Sequence, residues 1–163
     1  MWWLALIPFL LQAMAIFFDE FVFHLKRGLP KWEQLGHPLD TLTVLFCIAF
    51  VLWVPFSKTA LIFYIFLALF STLFVTKDEF VHKEHCPAAE QWLHAVLFTL
   101  HPISLAAAGF IWPVIQHVPV ESWIFTWLDN PSALHLFLYG QFMMMTLFLF
   151  YQIVYWNIIY DQQ

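Results

Sequence analysis

Five runs of mostly apolar residues, each long enough to cross a bilayer, restrict this chain more than any other feature. A membrane helix needs about 20 such residues, and runs at about 2–24, 39–57, 59–82, 91–112 and 132–158 meet that length. Backbone inside hydrocarbon must satisfy its own hydrogen bonds, so each run predicts a helix. Composition argues the same way: 63% of the 163 residues are hydrophobic and 10% charged, whereas soluble domains are nearer half apolar and a quarter charged. The expected fold is an all-α integral membrane protein, one membrane domain over residues 1–163 with five transmembrane helices. The stretch 114–131, with Gln116, His117, Glu121 and Asp129, is too polar to span. Its Trp123 and Trp127 suit the headgroup layer. The run Trp2–Phe18 has neither a basic leader nor a small-residue cleavage site, and reads as a retained span.

Basic residues orient the spans. Lys26, Arg27 and Lys31 lie between the first and second runs, and Lys77 and Lys83 between the third and fourth; Lys58 alone falls on the other side. The bias predicts the N-terminus outside and the C-terminus cytoplasmic, as in a bacterial inner membrane. No basic tract points to nucleic acid, and Cys47 and Cys86 form no disulfide framework.

The chain also matches itself. "FDEFVFH" (18–24) closes the first run and "KDEFVH" (77–82) the third; "PKWEQLGH" (30–37) opens the second and "PAAEQWLH" (87–94) the fourth. The second pair places Pro30/Pro87, Glu33/Glu90, Gln34/Gln91 and His37/His94 at identical spacing. Two duplicated helical hairpins follow, about 1–57 and 59–113, with a long C-terminal helix added at about 132–160. Pro38 reads as the first residue of its helix, and Pro113 as the end of the fourth.

The repeated residues are polar, and the hairpin sense gathers them at one depth, near the cytoplasmic boundary. Helical spacing aligns Glu20 with His24, His37 with Asp40, Asp78 with His82 and His85, and Glu90 with His94 and His101, while Glu79 lies three residues before His82. Ionisable groups in membrane helices are costly unless they face one another, water or a metal. Imidazole with carboxylate suits iron, manganese or zinc. The pattern therefore predicts a metal site of Glu20, His24, His37, Asp40, Glu79, His82, His85, Glu90, His94 and His101, holding two ions, iron first, with manganese or zinc as alternatives. Di-iron bundles use Glu and Glu-x-x-His on facing helices; Glu79-x-x-His82 fits that spacing, and the other pairs are one residue wider. Taken singly, Glu33, Lys83 and Glu84 read as solvated helix ends, Cys86 as packing, and His117 and His135 as interfacial.

The functional expectation is a membrane oxidoreductase acting on a lipid or other hydrophobic substrate at the cytoplasmic interface, supplied by an external electron donor because no nucleotide or flavin motif occurs. With zinc, the same ligands suit hydrolysis of a lipid ester or amide, with Asp78 or Glu90 as catalytic base. A metal-ion transporter and an accessory subunit of a membrane complex are the readings from other classes.

Overall fold

The computed structural model describes residues 1–79, 86–119 and 126–160, and these are all-helical. Five helices are long and apolar enough to cross a membrane: α1 (Trp2–Arg27), α2 (Lys31–Trp53), α3 (Lys58–Val75), α4 (Ala88–Ile115) and α5 (Pro131–Ile159). That is consistent with a membrane protein.

α4 packs against each of the other four helices, and α2 against α3, α4 and α5. Their shared core includes Cys47, Val51, Ala108, Ile111, Trp112, Leu134 and Leu138, all at most 1% exposed. Trp112 satisfies its buried indole by donating from Nε1 to the Val54 carbonyl at the end of α2. Large apolar side chains instead cover the outer faces of α3 and α5, with Leu73 70% and Leu136 71% exposed.

The starts of α2 and α4 are built alike. Pro30 (φ −66°, ψ 155°) and Pro87 (φ −65°, ψ 154°) are the capping residues. Their carbonyls accept from Glu33 and Gln34, and from Glu90 and Gln91, at 2.9–3.1 Å. The Gln34 amide then donates to Leu29 O at 2.8 Å, and the Gln91 amide to Cys86 O at 2.9 Å. The matched Pro-x-x-Glu-Gln spacing is thus a helix-start device. It places each Glu in the first turn, where the positive end of the helix dipole favours a carboxylate.

Two prolines behave differently from the sequence expectation. α2 begins at Lys31, so Pro38 lies inside it, and α4 continues through Pro113 to Ile115. A proline has no N–H for the carbonyl four residues earlier. For Pro38 that carbonyl belongs to Gln34, and Asn157 Nδ2 of α5 donates to it at 3.1 Å. A tertiary contact replaces the missing backbone bond, so the helix need not stop.

α1 ends at Gly28, whose φ of +74° is left-handed and suits glycine. The Tyr160 ring also occupies the space a Cβ would need there. This turn delivers Arg27 and Glu33 to the same end of the bundle.

Candidate metal centre

The last turns of α1 depart from α-helical geometry. Asp19–His24 forms a π-helical turn, and the Leu25 N–H bonds back five residues to Glu20 O. In a regular α-helix, residues five apart point about 140° away from each other. The wider turn brings both Asp19 and Glu20 to His24: Glu20 Oε2 lies 3.2 Å from Nδ1, and Asp19 Oδ2 lies 3.3 Å from Nε2. π turns of this kind are frequent at functional sites.

Opposite them, α4 supplies Glu90 and His94. His94 Nε2 is 3.0 Å from Asp19 Oδ1, and Glu90 Oε1 is 3.7 Å from His24 Nε2. Asp19, His24, Glu90 and His94 are all buried, and one ligand atom from each lies within 4.8 Å of the others. A second group of the same kind joins His24 to Glu33 and His37 of α2. The His24 and His37 rings stand 4.8 Å apart between centroids. Buried acidic and imidazole groups are therefore close enough to hold a metal ion.

Arg27 ties the two groups together. Its Nη2 donates to Glu33 Oε2 at 2.9 Å and to Glu90 Oε1 at 2.8 Å, linking the two glutamates that the repeat matches. Glu33 is 0% exposed. The solvated helix end expected there is instead part of the cluster.

Glu20 has its oxygens committed elsewhere. Oε1 accepts from the Tyr151 hydroxyl at 2.9 Å and from Trp156 Nε1 at 2.8 Å, while Oε2 faces His24 Nδ1. Both donors come from α5, where a second π turn, Tyr155–Ile159, contains Trp156.

The other expected residues are placed as follows. Asp40 pairs with Lys77 at 2.6 Å. His101 is buried a level deeper, with Nε2 3.0 Å from Ser71 Oγ and Nδ1 3.4 Å from Gln12 Nε2. Thr43 donates to Asp40 O, so Ser71 donates to Thr43, and His101 Nε2–H to Ser71. That leaves His101 Nδ1 as acceptor for Gln12, which specifies the tautomer. Glu79 is exposed. The Asp78 side chain, and the whole of His82 and His85, lie outside the described residues.

Cys86 lies at the edge of the cluster. Burial pushes its thiol up to about 12 against the opposing pull of Arg27, so it stays protonated at neutral pH.

A cavity of about 120 Å³ adjoins these groups. Asp19, His24 and His94 line it together with His101, and Ile16, Val44, Leu97, Phe98 and Phe148 supply apolar wall. That volume is room for a small molecule or the end of an alkyl chain.

Spacing alone missed Asp19 and Arg27. Asp19 falls off the α-helical face of His24, and Arg27 carried only a topological meaning. The match between Glu33 and Glu90 was the signal available for Glu33. Comparison of the chain with known protein families, curated proteins and solved structures finds no match.

Proposed function

We propose that this chain is a membrane-embedded, metal-dependent oxidoreductase acting on a lipid or other hydrophobic substrate at the cytoplasmic boundary. In this reading Asp19, His24, Glu90 and His94 bind the ion, and the two hairpins that supply them arose by duplication. The observation that carries it is the buried convergence of Asp19, His24, Glu90 and His94, of which Asp19, His24 and His94 also line a cavity with a largely apolar surface.

Two physical arguments support an ion there. First, among the described residues Asp19, Glu20, Glu33 and Glu90 are buried around a single guanidinium. Among these described groups four carboxylates share one guanidinium, and burying charge is unfavourable unless it is paired. Protons on the imidazoles or a metal dication would offset it. Second, His24 Nε2 makes no hydrogen bond, although Asp19 Oδ2 is only 3.3 Å away. A cation shared between Nε2 and the carboxylates at 3.3 and 3.7 Å would satisfy all three groups. Tetrahedral ligands at about 2.1 Å from an ion stand about 3.4 Å from one another.

Imidazoles and carboxylates with little thiol suit iron, manganese or zinc, and iron or manganese there would supply redox chemistry to a substrate in the cavity. The protein's own groups divide the remaining work. Glu20 holds His24 by accepting from Nδ1–H, so that Nε2 faces the ion. The apolar wall excludes water and receives the substrate's hydrocarbon.

Elemental analysis of the detergent-purified protein tests this. Iron or manganese at about one equivalent per chain, lost in His94→Ala and Glu90→Gln while the proteins remain folded, is the expected result. Zinc in its place redirects the chemistry to hydrolysis of a lipid ester or amide. Absence of metal after purification without chelators overturns the reading, and an accessory subunit becomes the better account.

A further inference from the structure

We infer that Arg27 occupies the place of a second metal ion, making a site with the framework for two ions into a one-ion site. The inference rests on the metal reading above and concerns how many ions the site takes.

In dinuclear carboxylate bundles, glutamates from facing helices share their oxygens between two cations. Here the first turns of α2 and α4 present Glu33 and Glu90 in the same way, and the cation between them is a guanidinium. Nη2 reaches one oxygen of each, at 2.9 and 2.8 Å. Around it stand the other groups of a second site: His37 Nε2 is 4.0 Å from Glu33 Oε2, and His24 joins Glu33 and His37 in a cluster of ligand atoms within 4.8 Å. His24 cannot serve two ions. Its Nδ1 faces Glu20, so it has one nitrogen to give, and Asp19 and Glu90 lie nearest that nitrogen.

Charge leads to the same conclusion. The guanidinium neutralises one unit where two carboxylates meet, with no d-orbital or geometric demand on the imidazoles. Removing it takes away the guanidinium that links the buried Glu33 and Glu90. A divalent ion in its place would restore the lost charge, and His37 beside Glu33 would offer it a nitrogen ligand. Arg27→Gln therefore opens a second site made by Glu33 and His37, with Glu90 shared.

The experiment compares wild type, Arg27→Gln, Arg27→Lys and Arg27→Gln/His37→Ala, each purified in detergent, equilibrated with Mn²⁺ and measured for metal per chain. Wild type and Arg27→Lys should bind about one equivalent, Arg27→Gln about two, and the double variant about one again. The electron paramagnetic resonance spectrum should change from that of an isolated Mn²⁺ ion to that of a spin-coupled pair only in Arg27→Gln. Thermal unfolding of that variant should also become more dependent on Mn²⁺ than that of wild type. One equivalent in Arg27→Gln, or two in wild type, overturns the inference while leaving the metal reading intact; no metal in wild type removes both.

A variant too unstable to purify does not end the test, because His37→Ala alone also decides it. With Arg27 in place His37 binds no ion, so the single variant should keep its one equivalent, and loss of that metal overturns the inference.

Discussion

At the scale of single residues, His24 organises the centre, and Glu20 organises His24. One carboxylate takes donors from Tyr151 and Trp156 on one oxygen and faces the imidazole with the other. Replacing Glu20 with Gln preserves its size but removes the charge that orients Nδ1–H. Metal affinity should fall about 10- to 100-fold, read by competition with a chelator, and Trp156→Phe should give a smaller loss in the same direction. Unchanged affinity in both would show that Glu20 has no part in orienting the site. Sequence spacing could pair Glu20 with His24, because four residues is one helical turn. It could not supply Asp19, which reaches His24 only through a π turn. That turn is written in no residue type; it exists because the surrounding packing holds it.

At the scale of helices, the repeated Pro-x-x-Glu-Gln was legible because each letter has a local job: cap, first-turn carboxylate, amide returning to a carbonyl. Pro38 was misread because its local effect is answered from far away. Its freed carbonyl partner, Gln34 O, is satisfied by Asn157 of α5. Asn157→Ala should therefore destabilise the bundle by about 1 kcal/mol, in the range measured for polar contacts between membrane helices. In a Pro38→Ala background, the backbone N–H restored by the substitution can bond the Gln34 carbonyl itself, and the loss should shrink toward zero. A double-mutant cycle in reversible detergent unfolding measures the difference; equal losses in both backgrounds would show that Asn157 does not compensate for the proline.

For the molecule as a whole, α5 is more than an addition to two hairpins. Through Tyr151 and Trp156 it holds Glu20 of α1, through Gln152 it accepts from Thr41 of α2, and through Asn157 it reaches Gln34. It braces α1 and α2, two of the three helices whose side chains gather at the centre. The orientation of the bundle belongs to this scale as well. The positive-inside bias predicts that Lys58→Cys reacts with a membrane-impermeant thiol reagent from outside intact cells, and that Lys31→Cys reacts only after the inner face is opened. Buried Cys47 and Cys86 should give little background. Labelling of Lys31→Cys in intact cells would reverse the topology.

The number of long apolar helices, their approximate limits and the gathering of Glu and His near one end could all be read from the chain. Length, hydropathy and helical period are properties of contiguous residues, and they survive without knowledge of the fold. The composition of the centre could not be read in that way. Asp19 enters through a π turn, Arg27 bridges glutamates 57 positions apart in the chain, Glu33 is buried rather than solvated, and α5 supplies the donors that restrain Glu20. Each depends on contacts between segments distant in sequence, where the cost of burying a charge is offset by whichever partner the packing brings within reach.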